Sequence, residues 1–192
     1  MKLSEYANKI GVTYQTAWNW WKLGYLNAEQ LPSGTIIVAE EQYNITIGTC
    51  GCFDLTIHPG HLIYLQKSKE LGTHLTVLLN TDSWIRANKR EPILPQEHRK
   101  LMLEALSSVD QVILFETNEE KDDLIKEHKF DIWTKACKGD EYKNEDNILE
   151  APTVKSYGGK VIIISSDFPE YSTTSIIEKI ALSIPKTNDS VV

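Results

Sequence analysis

Two histidines three residues apart, His58 and His61, stand in the run Gly51-Cys52-Phe53-Asp54-Leu55-Thr56-Ile57-His58-Pro59-Gly60-His61. A short β-rich segment, Ile45-Thr46-Ile47, precedes it, and an apolar-periodic segment from Leu62 to Leu71 follows. A strand, a glycine-bearing turn and a helix start form the place where α/β proteins hold phosphate, because the first helical N–H groups are unpaired and the dipole is positive there. Pro59 suits the first turn of such a helix, where its missing N–H has no partner to lose. The histidine spacing puts both rings on one side of that turn, so both can donate to phosphate oxygens as charge builds. Taken alone, two histidines at a helix start are more often simply solvated. Cys50 and Cys52 add a second option, a zinc site with His58 and His61, although a turn in a parallel sheet makes a poor zinc finger.

Further along are other groups suited to phosphate chemistry. After the second predicted strand come Asn80, Asp82, Lys89, Arg90 and, early in the next helix, Arg99. Cations in a loop at a strand's carboxyl end can meet a triphosphate or a sugar phosphate. Lys138-Gly139-Asp140 with Tyr142 combines a close-approach glycine with polar contacts. Ser172-Thr173-Thr174 opens the last predicted helix, where three hydroxyls can cap the helix or cradle a second phosphate.

The first run resembles the G-x-F-D-x-x-H-x-G-H signature of the cytidylyltransferase-like (HxGH) nucleotidyltransferases. Gly51, Phe53, Asp54, His58, Gly60 and His61 match it, with three residues between Asp54 and His58 where the family has two. The N-x-D, Lys and Arg-Pro-Ile order around residues 80–93 resembles the same family, with Glu91 interposed. The Y-G-G at 157–159 and Y-S-T-T at 171–174 resemble the bacterial heptose 1-phosphate adenylyltransferase branch more than the glycerol-3-phosphate cytidylyltransferases. The resemblance implies catalytic roles for His58, His61 and Lys89. It implies nucleotide or phosphate contacts for Gly51, Cys52, Phe53, Gly60, Lys138, Gly139, Ser172, Thr173 and Thr174. Substrate contacts are implied for Asp54, Asn80, Asp82, Arg90, Arg99 and Asp140, with Mg²⁺ accompanying the nucleoside triphosphate and no metal held by the protein alone.

The elements that must position these groups are legible as periodicity. Strands are expected over Ile45–Thr49, His74–Asn80, Gln111–Phe115, Asp131–Thr134 and Lys160–Ser165. Helices are expected over Pro59–Leu71, Pro95–Leu106, Glu119–His128 and Thr173–Ile184. Strands alternating with helices of about ten residues imply right-handed crossovers and a Rossmann-like parallel sheet with helices on both faces. Ligands then bind beyond the carboxyl ends of the strands.

Residues 1–38 read as a separate module. Ser4 is expected to cap a helix to Ile10, and Thr13 a second helix through Leu23, with Gly11 and Gly24 as stops. With Thr35–Val38 as a wing strand, the module resembles the winged helix-turn-helix of MerR-like transposon resolvases. Its charge argues against DNA. Three lysines against two glutamates leave +1, whereas phosphate contacts need several cations. Gln15, Thr16 and Asn19 are the side chains suited to bases, and the three tryptophans of the second helix suit packing equally well.

The 192 residues, 41% hydrophobic and 24% charged with a net charge of −7, bound the rest. They describe one α/β domain over 45–186 with the N-terminal module, a polar linker at 39–44 and a polar tail at 187–192. No run reaches the roughly 20 apolar residues of a membrane span, and no signal-peptide core is legible at the start. Three cysteines suit a reducing cytoplasm. The expected activity is transfer of a nucleotidyl group, from ATP before CTP, to a heptose-type sugar 1-phosphate, by a homodimer. A CTP-dependent enzyme for a polyol phosphate is the alternative, and a DNA-binding regulator with a ligand-sensing α/β domain is the alternative of another class.

Overall fold

The computed structural model describes residues 1–39, 45–55, 57–137, 144–165 and 173–183. Five strands form one parallel sheet: β3 (Thr46–Gly51), β4 (His74–Asn80), β5 (Gln111–Phe115), β6 (Ile132–Ala136) and β7 (Lys160–Ile164). Their order is β5-β4-β3-β6-β7, so the chain winds outward from β3 on one side and then returns to its other side. The strand order reverses between β3 and β6, the crevice in which open α/β sheets bind ligands. β4 is buried over Leu75–Asn80, which explains why its sequence is a continuous apolar run rather than an alternation.

Helices α3 (Pro59–Lys69), α4 (Asp82–Asn88), α5 (Gln96–Glu104), α6 (Asn118–His128), α7 (Ala151–Ser156) and α8 (Thr173–Ser183) flank this sheet. The expected strands at 74–80 and 111–115 match residue for residue, and most other boundaries move by one or two. The expected strand at 131–134 instead runs to Ala136, which carries Lys135 inside the sheet. Two helices were not expected. Both α4 and α7 are short, and neither shows two clear turns of apolar periodicity.

A polar belt holds α3 against the sheet. The hydroxyls of Thr49 and Tyr64 lie 2.5 Å apart, Tyr64 donates to Thr134 Oγ1 at 3.2 Å, and the Ser68 and Thr134 hydroxyls lie 3.0 Å apart. All four residues are buried, so α3 is pinned to β3 and β6 by paired polar groups as well as by Leu65.

The N-terminal segment forms α1 (Leu3–Ile10), α2 (Tyr14–Lys22) and an antiparallel pair, β1 (Ala28–Gln30) with β2 (Ile36–Val38). Thr13 caps α2 as expected, accepting from Thr16 N at 3.1 Å. Ser4 does not cap α1. The cap position is Lys2, whose N–H donates to Glu5 Oε2 at 3.0 Å, and Ser4 lies inside the first turn. β1 was not expected, because Ala-Glu-Gln has no strand signature and is held by its register with β2.

Nothing in this arrangement establishes a DNA-binding winged helix, and several features of α2 point elsewhere. Thr16 is buried against Thr13, the Gln15 amide donates to Asn19 Oδ1 at 3.0 Å, and Lys22 lies 4.3 Å from the centre of the Trp21 ring. Trp20 is fully buried, and Trp21 donates its indole N–H to Ala28 O at 2.9 Å. The segment meets the sheet at the amino ends of β6 and β7. Lys160 donates to Leu23 O and lies 4.3 Å from the Tyr25 ring centre. One hydrophobic cluster runs from Leu3, Trp20 and Val38 through Ile45 into the β3–β4 core.

Candidate active site

A cavity of about 820 Å³ lies at the carboxyl ends of β3, β4, β5 and β6, bordered by Gly51, Asn80, Phe115 and Ala136. The turn with the histidines forms one wall. His58 is the N-cap of α3, and its Nδ1 accepts from His61 N at 3.4 Å. The two rings stack with centroids 3.7 Å apart and 23° between planes. His58 is buried, whereas His61 borders the cavity. In the turn ahead of His58, Phe53 and Leu55 both adopt positive φ (44° and 79°), a conformation uncommon for residues with a Cβ. The bare face of Gly51 receives the Phe53 ring, since a Cβ there would stand 2.9 Å from it.

Lys89 closes α4 and borders the cavity, its Nζ 3.4 Å from Cys52 Sγ and 5.7 Å from the Trp84 ring centre. Thr173 and Thr174, the first residues of α8, border the same space. The fold thus gathers His61, Lys89, Thr173 and Thr174 from three distant parts of the chain. Gly60 lies in the first turn of α3. Lys138, Gly139, Asp140, Tyr142 and Ser172 lie outside the described residues.

Three residues expected to touch substrate are held by protein partners, and one of them, Asp54, also borders the cavity. The Asp54 carboxylate is 2% exposed and accepts from Leu55 N (2.9 Å), Ile93 N (3.0 Å), Leu94 N (3.0 Å) and Arg90 Nη1. Burial works against its ionisation, but the backbone donors and Arg90 outweigh it and lower its pKa. It organises the 90–94 loop. Arg99 is wholly buried and donates to Leu94 O at 3.0 Å, Cys52 O at 2.7 Å, Asn80 O at 2.9 Å and Asp82 Oδ1 at 2.6 Å. Its guanidinium ties the ends of β3 and β4 to α4 and α5, with Asp82 as its one side-chain partner among these contacts. Asn80 and Arg90 do border the cavity.

Nothing in the sequence marked Lys121, Lys135 and Glu150, a charged cluster on the cavity wall in which Lys121 and Glu150 are buried and Lys135 is partly exposed. Each lies in an ordinary helix, strand or loop pattern, and only the sheet order brings them together. The zinc option fails on placement. Cys50 meets Glu150 and Cys52 meets Asn80, and no group of three His, Cys, Asp or Glu side chains among the described residues is placed to hold a metal. Among the described residues the Asp54 carboxylate is already engaged by protein donors, so Mg²⁺, which the resemblance implies, would be carried in on the triphosphate oxygens.

Residues 49–179 match the cytidylyltransferase-like family model. The chain belongs to the cytidylyltransferase-like family. It is therefore a nucleotidyltransferase. Among curated proteins it is 41% identical over 135 residues to the bifunctional protein HldE of Methylobacillus flagellatus, covering 69% of this chain and 26% of that protein. It is 37% identical over 150 residues to HldE of Geobacter sulfurreducens, covering 77% and 29%. The chain thus spans about a quarter of the length of these relatives. Among solved structures, a lipopolysaccharide core biosynthesis protein from Thermoplasma volcanium superposes with a TM-score of 0.52 at 30% identity, over 64% of this chain and 95% of that one. No helix among the described residues of this family member is long and apolar enough to cross a membrane.

Proposed function

We propose that this nucleotidyltransferase transfers an adenylyl group from ATP to a sugar 1-phosphate of heptose type. An oxygen of the sugar phosphate attacks the α-phosphorus in line. The new P–O bond forms as the bond from the α-phosphorus to the bridging oxygen breaks, and that electron pair leaves on pyrophosphate. The observation that carries the reading is the stacked His58–His61 pair at the amino end of α3, beside a cavity that also meets Lys89, Thr173 and Thr174. His58 fixes the turn by capping the helix, and His61 donates to the α- and β-phosphate oxygens as charge builds on them. Lys89 neutralises the same charge, while Ser172, Thr173 and Thr174 hold the outer phosphates. Positioning and charge stabilisation supply the catalysis, and no covalent intermediate is required. Mg²⁺ enters with the triphosphate and offsets its charge. The similarity to HldE proteins supports the choice of ATP and a sugar phosphate over CTP and a polyol phosphate.

The test is a screen of nucleoside triphosphates against sugar phosphates, read as pyrophosphate release. ATP should exceed CTP in kcat/KM by roughly tenfold, about 1.4 kcal/mol. A preference for CTP would move the protein to the cytidylyl branch, and no pyrophosphate release with any pair would refute the reading.

A further inference from the structure

In-line attack at the α-phosphorus sets the acceptor and the departing pyrophosphate on opposite sides of it. The His58–His61 turn follows β3, the central strand, and Thr173 and Thr174 open α8, which follows β7. With the outer phosphates at α8, the acceptor takes the other end of the cavity, where β4 and β5 finish. Trp84, in the first turn of α4, borders the cavity at that end. Neither the HxGH signature nor the phosphoryl chemistry calls for a tryptophan there.

The indole is a fixed surface. Trp84 N donates to Thr81 Oγ1, the cap of α4, at 3.3 Å. Its ring meets the buried ring of Phe115 at 67°, with centroids 6.4 Å apart, the edge-on arrangement that aromatic quadrupoles favour. Asn88, one turn later, donates its amide N–H to Trp84 O at 2.9 Å. Trp84 nonetheless stays partly exposed. A large apolar ring, anchored on one side and bordering a cavity, gains most when a ligand covers it. A phosphate group has no use for such a surface, but the carbon skeleton that carries the phosphate does. A pyranose presents a rigid face of C–H bonds that lies flat on an indole, while its hydroxyls point to the rim, where Asn80 and Asn88 border the cavity. An open-chain polyol has no such face in any one conformation and loses rotational freedom to imitate it.

We propose that Trp84 is a specificity-determining residue, an aromatic platform that selects a cyclic sugar phosphate over an open-chain polyol phosphate. That the stacked ring belongs to the acceptor rests on the nucleotidyl-transfer reading above. The stacking of a sugar ring on Trp84 does not.

The experiment is calorimetric titration of the full chain, in the presence of a non-hydrolysable ATP analogue, with the 1-phosphates of D-glucose, D-mannose and D-galactose and with glycerol 3-phosphate. The tightest of the three sugars should bind about tenfold more strongly than glycerol 3-phosphate. Trp84→Leu, which keeps apolar bulk but no platform, should weaken that sugar about tenfold and move glycerol 3-phosphate by less than about twofold. Trp84→Phe, which keeps an aromatic face, should hold the sugar within about threefold of wild type. A merely structural role, acting through α4 or through Lys89, would weaken both kinds of phosphate alike. Equal weakening of the two, or a wild-type protein that binds no sugar phosphate more tightly than glycerol 3-phosphate, overturns the platform. So does a Trp84→Leu protein that loses affinity for the ATP analogue instead, since the ring on Trp84 is then the nucleotide's. If no triphosphate yields pyrophosphate while Trp84-dependent sugar binding persists, the adenylyl-transfer reading falls and the platform stands.

Discussion

Replacing Arg99 by methionine should destabilise the fold rather than remove a contact with substrate. The side chain is wholly buried and serves three backbone carbonyls, those of Leu94, Cys52 and Asn80, and the Asp82 carboxylate. Methionine fills much of the volume and serves none of them. A buried acceptor left without a donor costs about 1–3 kcal/mol, and breaking a buried ion pair by removing one member costs about 3–5 kcal/mol. These describe overlapping losses, and Asp82 is 19% exposed and can turn to water, so about 3–5 kcal/mol covers the whole. For a chain of this size each kcal/mol shifts Tm by about 2–4 °C. Arg99→Met should therefore melt roughly 6–20 °C below the wild type, and Arg99→Lys should recover only part, since an ammonium cannot reproduce the planar fork. Thermal unfolding followed by circular dichroism gives the shift, and initial rates below the melting range give KM and kcat. A variant that melts within about 2 °C of wild type, with a raised acceptor KM, would refute the reasoning and return Arg99 to the substrate.

Three further outcomes are expected. His61→Ala should lower kcat by about 10²–10³ with little change in Tm, and near wild-type turnover in the folded variant would remove His61 from the mechanism. Acid stability should depend on Glu150: burial opposes its ionisation, but Lys135 and Lys121 outweigh this and hold its pKa at about 2, against about 4.5 ordinarily. A lowered pKa stabilises the fold above the unfolded value and ceases to do so as pH falls from about 4.5 through about 2. An acid unfolding limb over that range that is unchanged in Glu150→Gln would contradict this. Finally, a chain starting at Gln42 should retain nucleotidyl transfer, because the N-terminal segment meets the amino ends of β6 and β7, roughly 15 Å of strand away from the cavity. Soluble truncated protein without activity would show that residues 1–41 complete the site, and aggregation on truncation would instead show that Tyr25 and its neighbours cover apolar surface.

The order of strands and helices in the α/β region was legible because each element carries its own period, and those periods survive without tertiary context. The HxGH turn was legible for a related reason. Glycine, proline and histidine at fixed local offsets specify a strand–turn–helix junction, and that junction determines where phosphate can sit. The residues flanking it were harder to assign. Arg99 looks like a ligand contact in the sequence because a charged residue carries no mark of how many backbone groups it must satisfy; only the packed structure makes three carbonyls converge on it, as it makes backbone N–H groups converge on Asp54 beside the cavity. Nothing local marks Lys121, Lys135 and Glu150 either. They lie 14 to 29 positions apart on a helix, a strand and a loop, and become one cluster only when the strand order reverses between β3 and β6 and brings β6 beside Cys50. Local chemistry thus determined the turn and the elements, while the long-range topology decided which charges face the cavity and which support its walls.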